Sequence, residues 1–340
     1  MKLVALEYLR FILALAVVIY HLPLFGVEKV PYVGDSGFLA VLTFMCLSGF
    51  VLWNSAERYI STTSFILKRF FRLYPLHVVA LSFTLFLNSI INMPYQEPDL
   101  VHVFLHFFLL HGSGLEKYGT LNAPSWAVST EFIAALVLGY FITHRATTKT
   151  RIILLILLLV LFELNILDLR IVLCCMALIL GTLIHELINF KKIICQNRII
   201  KSLHAIVLFG FGCTLGIRMI LNRISYKSAT LDFLRESYLV DLVLIWLFLY
   251  IIIRGVKITN VALVKLGNWG GGVSYAIYLL HIPVLALSHE IFLKHIGSDS
   301  VIIFLIFSGF ALLLLSQLAH FVIEIPILSW CRSHILKNKQ

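Results

Sequence analysis

The first apolar run of the sequence carries two ionisable side chains, Arg10 and His21. They are eleven residues apart, and at about 100° per residue an α-helix brings them back to within roughly 20° of the same direction. Along the helix axis they are about 16 Å apart. A cation at one end of a groove and a titratable imidazole at the other suit a long ligand that enters from the cytoplasm. The alternative is an ion pair between Arg10 and Glu7, with His21 as an interfacial cap.

Three basic residues, Lys68, Arg69 and Arg72, stand together where the third apolar run begins (ILKRFFRLYP). Arg69 and Arg72 are three residues apart and share a helix face, and paired guanidinium groups suit phosphate oxygens. The alternative is ordinary anchoring of a membrane helix beside lipid headgroups.

A carboxylate, Glu131, follows the start of the fourth run, Ser125–Glu131 (SWAVSTE). At helical rise Glu131 lies about 9 Å in from Ser125, at a depth comparable with that of His21. A buried carboxylate beside an imidazole fixes its tautomer and raises its basicity. Glu131 is therefore a candidate to orient His21, provided that the two helices touch.

A polar stripe marks the ninth run (SYAIYLLHIP), where Ser274, Tyr278 and His281 fall at i, i+4 and i+7, with Tyr275 beside them. Such a stripe either hydrogen-bonds a ligand or joins helices to one another.

Other chemistries have weaker signals. His102 and His106 have the i,i+4 spacing of metal ligands, but no third ligand suggests itself, so we predict no metal site. Arg218 and Asp241 could pair near the outer surface as a structural ion pair. No Walker loop, nucleophile elbow or dinucleotide-binding fingerprint occurs in a supporting context.

The elements that carry these residues are predicted to be membrane helices. The chain has 340 residues, 60% of them hydrophobic and 13% charged, whereas a soluble domain has about 25% charged residues. Runs long enough to cross a bilayer lie near 5–22, 37–55, 73–92, 125–143, 151–164, 170–188, 203–221, 238–254, 271–293 and 300–323. The sequence thus predicts an all-α polytopic bundle of about ten spans.

Basic residues predict the orientation of this bundle. If the short segment 101–111 is re-entrant or interfacial, both termini are cytoplasmic, and 18 of the 27 Lys and Arg lie inside against seven outside. Residues 1–330 then form one transmembrane domain and residues 331–340 a cytoplasmic tail. This topology explains the net charge of +10, so the expected partners include membrane lipids but not nucleic acid.

Six motifs together resemble the acyltransferase-3 family of membrane O-acyltransferases across essentially the whole chain. They occur in the family's order: LRFILALAVVIYH, FMCLSGF, RFFRLYP, SWAVSTE, SYAIYLLHIP and EIP. By this resemblance Arg10 and His21 correspond to the family's essential first-helix pair, Arg69 and Arg72 to its R-x-x-R pair, and Glu131 to the glutamate of its usual SVE run. Phe11 and Thr130 depart from the usual glycine and valine, which affects expected substrate preference more than activity.

The resemblance implies transfer of an acyl group, usually acetyl from cytoplasmic acetyl-coenzyme A, to a sugar hydroxyl. The acceptor would be a bacterial surface glycan, such as lipopolysaccharide or exopolysaccharide, or its lipid-linked precursor, which implies a multi-pass protein of the cytoplasmic membrane. No metal is implied.

Residues and resemblance support one mechanistic hypothesis. Arg69 and Arg72, with Lys68 nearby, hold the coenzyme A phosphates, and the pantetheine arm passes Arg10. His21 acts as general base on the hydroxyl, oriented by Glu131. The candidates to line the groove or to stabilise the oxyanion are Tyr275, Tyr278 and His281. A mechanism with a covalent acyl intermediate on Ser129 or His21 is the alternative to direct transfer.

The alternative function is a secondary transporter of an anionic sugar conjugate, since buried charges also suit alternating access. Transporters often contain inverted repeats, and the two halves of this sequence show none.

Overall fold

The computed structural model describes residues 3–28, 37–56, 61–91, 99–114, 120–194, 231–296 and 301–335. Within these ranges every regular element is helical, which confirms the predicted all-α fold. The α-helices are α1 (Val4–His21), α2 (Gly37–Ser55), α3 (Thr62–Asn88), α4 (Leu100–Phe107), α5 (Ser125–Thr143), α6 (Thr148–Glu163), α7 (Leu169–Ile194), α8 (Leu231–Gly255), α9 (Val261–Ile296), α10 (Val301–Ala319) and α11 (Ile325–His334). A 3₁₀ turn, Leu22–Phe25, extends α1, and a π-helical turn, His320–Glu324, joins α10 to α11.

Eight stretches of the described helices are long and apolar enough to cross a bilayer, and each overlaps a predicted span. They are Val4–Phe25, Gly37–Ser55, Thr62–Asn88, Ser125–Thr143, Leu169–Glu186, Tyr238–Gly255, Val261–Phe292 and Val301–His334. The predicted span 151–164 is the 16-residue helix α6, and 203–221 lies outside the described residues. A multi-span bundle is therefore confirmed, while the count of ten and the side of each terminus stay predictions.

Helix α10 illustrates how the bundle meets lipid. Its side chains Ile302, Ile306 and Phe310 form an exposed stripe at i, i+4 and i+8. Phe304, Ser308 and Leu312 form a buried stripe with the same spacing. Since exposed apolar side chains are stable in hydrocarbon but not in water, the exposed stripe is the lipid-facing surface.

The centre of the bundle depends on a close crossing of α2 and α7 at two glycines. A Cβ on Gly49 would overlap the carbonyl oxygen of Leu178, and one on Gly181 would overlap that of Cys46. Small residues let membrane helices approach closely and gain van der Waals contact. This crossing fixes α2, whose residue Ser48 precedes Gly49.

Glycines also hold α1 against α9. Gly267 and Gly270 pack on the rings of Tyr8 and Phe11, and a Cβ on Gly271 would overlap the carboxylate of Glu7. The close contact brings both Arg10 and His21 of α1 beside the polar stripe of α9.

The segment predicted as re-entrant or interfacial contains the short helix α4. Its eight residues rise only about 12 Å, too little to cross a bilayer. Asp99 caps its N-terminus by accepting a hydrogen bond from the His102 amide. His102 and His106 are buried on one side of α4, whereas Leu100, Val101 and Phe104 are exposed on the other.

Candidate active site

A cavity lies between α1, α2, α3, α5 and α9. It brings together six residues predicted for the site, Arg10, Arg69, Arg72, Glu131, Tyr275 and Tyr278. Apolar side chains complete the wall, among them Val41, Phe44, Met45, Leu73 and Val128. Lys68 lies outside this lining, although it is on the same helix as the two arginines. The cavity thus combines cationic groups with an apolar wall.

Glu131 pairs with Arg69 in the cavity wall. Its Oε1 accepts hydrogen bonds from a guanidinium nitrogen of Arg69 and, at 2.7 Å, from the Ser48 hydroxyl. Arg69 is buried, and its Nε has no hydrogen-bond partner among the described residues. The expected contact between Glu131 and His21 is therefore not made: the carboxylate binds across to α3 instead. Sequence reasoning missed Ser48, which lies within the FMCLSGF motif but shows no spacing that links it to Glu131.

Arg72 differs from Arg69 although they share a helix face. Arg72 is exposed within the cavity lining and forms no hydrogen bond or ion pair with any residue in the described ranges. The predicted pair of equivalent phosphate-binding forks thus separates into one buried, neutralised arginine and one available arginine.

Arg10 combines the two roles proposed for it. Its Nη1 lies 3.5 Å from Glu7 Oε2, which is the expected i,i+3 pair, and its side chain also lines the cavity. Arg10, Arg69 and Arg72 carry three positive charges, while Glu7 and Glu131 carry two negative ones, so this group has a net charge of +1. An excess positive charge in an apolar cavity favours an anionic ligand.

The hydroxyl groups of the two tyrosines of α9 donate hydrogen bonds to backbone carbonyls of other segments. Tyr275 donates a hydrogen bond to Leu73 O at 2.7 Å, and Tyr278 donates one to Pro124 O at 2.9 Å. Each phenol has a single O–H donor, and both donors are already used. The rings line the cavity as predicted, but stabilisation of an oxyanion by these hydroxyls is not available in this arrangement.

His21 contacts His281 rather than a carboxylate. Nδ1 of His21 lies 3.1 Å from Nε2 of His281 and 2.8 Å from Val17 O. His281 is fully buried and lies outside the cavity lining, contrary to its predicted role as a groove residue. Its position at i+7 from Ser274 predicted an inward direction, but no local pattern in the sequence pairs it with residue 21.

The ring of Tyr278 stands between the cavity and the histidines. It lines the cavity beside Phe44, at 5.9 Å between ring centroids, and lies 6.3 Å from the His281 ring. His21 is only partly buried, and its ring contacts that of His281, with 5.0 Å between the ring centroids.

The hydroxyl groups of the SWAVSTE motif hold the segment that follows α4. Ser129 donates to Leu109 O and accepts from the Gly112 amide, and Ser125 contacts Nε2 of His111 at 3.1 Å. Ser129 is fully buried, so the arrangement does not expose it as a nucleophile.

The histidines near α4 are stacked instead of converging on one point. The rings of His106 and His111 are 4.0 Å apart and nearly parallel, and those of His77 and His111 are 5.6 Å apart. In the described part of the chain, no group of three or more His, Cys, Asp or Glu residues is arranged to hold a metal ion. Arg218 lies outside the described residues, so its predicted pair with Asp241 stays a prediction.

Comparison with known proteins identifies the family of the chain. The sequence profile of the acyltransferase-3 family, described as an acyltransferase domain, matches residues 3–320, which include every site residue discussed above. Acyltransferase MdmB of Streptomyces mycarofaciens is 32% identical over 163 residues, which cover 44% of this chain and 41% of MdmB. The alignment thus spans less than half of that relative, and no solved structure matches the chain. Because the family match extends over nearly its whole length, the chain belongs to the acyltransferase-3 family.

Proposed function

We propose that this membrane acyltransferase transfers an acetyl group from cytoplasmic acetyl-coenzyme A to a hydroxyl of a cell-surface glycan or its lipid-linked precursor. Its location would be the bacterial cytoplasmic membrane. The observation that carries the proposal is the cavity, where an available arginine and an apolar wall lead to the ring of Tyr278, which contacts His281 of the histidine pair. Family membership favours acyl transfer over the transport alternative.

The donor site is proposed for the cavity. Arg72 and Arg10 would bind the coenzyme A phosphates, because charge-assisted hydrogen bonds from guanidinium groups suit phosphate oxygens. Arg69 would hold the wall in shape through Glu131. The apolar side chains Val41, Phe44 and Leu73 would contact the pantetheine arm, whose amides and methyl groups need a largely apolar groove.

The chemical step is proposed for His21. Its Nε2 would take the proton of the acceptor hydroxyl while the hydroxyl oxygen attacks the thioester carbonyl carbon. The C–S bond then breaks, and the departing thiolate receives the proton from Nε2, which returns His21 to its neutral form. Because Tyr278 lies between the cavity and the histidines, the acetyl group would have to pass beside its ring.

A transfer assay tests the proposal. Purified protein in lipid vesicles is incubated with radiolabelled acetyl-coenzyme A and a panel of free and lipid-linked glycans, and labelled glycan is counted. We expect transfer by the wild type and a loss of about 10² to 10⁴ in rate for His21→Ala, with unchanged binding of coenzyme A. His144→Ala, an exposed histidine at the end of α5, is the matched control and should keep full activity.

Transfer of label to none of the glycans by the wild type would contradict the proposed substrates. A His21→Ala variant with a near-normal rate would contradict the general-base role.

A further inference from the structure

We propose that His281 is a positioning residue that accepts a hydrogen bond from Nδ1–H of His21 and so leaves Nε2 of His21 as the basic nitrogen. This inference rests on the proposed function, because it assumes that His21 acts as the general base. It replaces Glu131 as the group that orients His21.

Packing holds the two imidazoles together. His21 is the last residue of α1, and His281 lies 260 residues further on in α9, at a fully buried position. The ring centroids are 5.0 Å apart and the planes are inclined by 43°, so the rings meet through their nitrogens rather than by stacking. The glycine contacts of α9 with α1 hold the two helices together at the opposite end of α1, from Glu7 to Phe11.

The hydrogen-bond partners assign the protons. Val17 O can only accept, so the His21 Nδ1 that lies 2.8 Å from it carries a hydrogen. Ile277 O also can only accept, and His281 Nδ1, which lies 3.3 Å from it, carries a hydrogen as well. A neutral imidazole has one N–H, so Nε2 of His281 is an acceptor, and it lies 3.1 Å from Nδ1 of His21. The single Nδ1–H of His21 is then shared between Val17 O and Nε2 of His281 as a three-centre hydrogen bond. The same rule leaves Nε2 of His21 with a free lone pair.

This arrangement suits a base that becomes charged only during the reaction. When Nε2 of His21 takes the hydroxyl proton, the Nδ1–H···Nε2 bond to His281 becomes charge-assisted and therefore stronger. His281 thus stabilises the imidazolium form of His21 more than its neutral form. A group lowers a reaction barrier only if it stabilises the transition state more than the ground state.

Neither imidazole forms a hydrogen bond or ion pair with a carboxylate of the described residues. His21 contacts the ring of Tyr20 at 4.9 Å, and His281 faces the ring of Tyr278. The hydroxyl of Tyr278 is held by Pro124 O, so it does not compete for the His281 nitrogen. A neutral acceptor avoids the cost of burying a permanent charge in the apolar bundle.

Two substitutions separate positioning from packing. His281→Gln keeps an oxygen acceptor near the position of Nε2, whereas His281→Leu keeps similar volume without an acceptor. We expect His281→Leu to lower kcat by about 10- to 100-fold with an unchanged KM for acetyl-coenzyme A, and His281→Gln to recover most of the loss. Equal rates for the two variants, or a near-normal rate for His281→Leu, would overturn the proposal.

A spectroscopic test does not depend on the substrates. Solid-state NMR of the wild type labelled with ¹⁵N-histidine, with signals assigned through His21→Ala and His281→Gln, reports which nitrogen carries each proton. We expect His21 to be protonated on Nδ1, with coupling across the hydrogen bond to Nε2 of His281. Protonation of His21 on Nε2, or absent coupling, overturns the proposal. If the expected signals appear while acetyl-coenzyme A donates to no glycan, the proposed function fails and the pairing stands.

Discussion

Arg69 of α3 and Glu131 of α5 form a buried ion pair in the wall of the cavity, with Ser48 of α2 as a third member. Three helices thus meet at one carboxylate oxygen. Because both charges are largely removed from water, each is stable there only while its partner is present.

A double-mutant cycle tests this dependence. Glu131→Leu or Arg69→Met should each lower the free energy of unfolding by roughly 3 to 5 kcal/mol, because an unpaired buried charge remains. The double variant Arg69→Met with Glu131→Leu should recover much of that loss, as measured by thermal unfolding in detergent. Additive losses in the double variant would contradict a direct pair.

Arg72 should affect ligand binding without affecting stability. It forms no hydrogen bond with the described residues, so Arg72→Ala should leave the unfolding temperature unchanged. Loss of its phosphate contact should weaken coenzyme A binding by about 1.5 to 3 kcal/mol, roughly 10- to 150-fold. Isothermal titration of the purified protein with coenzyme A measures the effect, with exposed Lys149→Ala as the control. Unchanged affinity would return Arg72 to the role of a lipid anchor.

Helix geometry explains what could be predicted from the sequence. The placement of Arg10 and His21 on one helix, and of Arg69 and Arg72 on another, depends only on local spacing within an apolar run. The helical class follows in the same way, since an apolar segment in lipid must satisfy its backbone hydrogen bonds internally.

Contacts between helices could not be predicted by the same reasoning. The partner of Glu131 depends on how α5, α3 and α2 pack, and that packing depends on glycine crossings whose partners are distant in sequence. The contact between His21 and His281 joins helices 260 residues apart. Local spacing predicted a role for each histidine, but it did not predict which side chain each one meets.

The crossing of α2 and α7 gives a stability prediction with a built-in control. Gly49→Ala forces a Cβ against Leu178 O, a backbone atom that cannot turn aside, and overpacking of this kind typically costs about 1 to 3 kcal/mol. A Cβ on Gly309 of α10 would meet no described atom within 4 Å, so Gly309→Ala should be neutral or stabilise by up to about 1 kcal/mol. Thermal unfolding in detergent compares the two, and equal effects would contradict the close crossing.

The histidines between α3 and α5 predict a loss of stability in acid. Burial, and secondarily the neighbouring imidazoles, hold the pKa of His106 at about 3 and that of His111 at about 2. Both lie outside the eight spans and stay neutral in the folded protein at pH 5, whereas the unfolded chain binds protons below about pH 6.5. Stability should therefore fall from about pH 6.5 towards pH 3, by up to about 1.4 kcal/mol per pH unit for each histidine.

Unfolding temperatures measured at pH 7.5, 6.0 and 5.0 check this dependence. His111→Gln should reduce the slope, while exposed His144→Ala should leave it unchanged. A wild-type stability that is flat over this range would contradict buried, neutral imidazoles.

The substitution Tyr278→Phe tests whether the hydroxyl of Tyr278 only supports the cavity wall or donates a hydrogen bond during catalysis. Its hydroxyl binds Pro124 O, so Tyr278→Phe should cost about 1 kcal/mol in stability and change kcat only a few-fold. If the hydroxyl instead stabilised the oxyanion, its removal would lower kcat by about 10² to 10³. The measurement is the rate of acyl transfer at saturating donor, with Tyr140→Phe on the exposed surface of α5 as the matched control. A large fall in kcat at an unchanged unfolding temperature would mean that Tyr278 leaves Pro124 during the reaction and donates its hydrogen bond to the developing oxyanion.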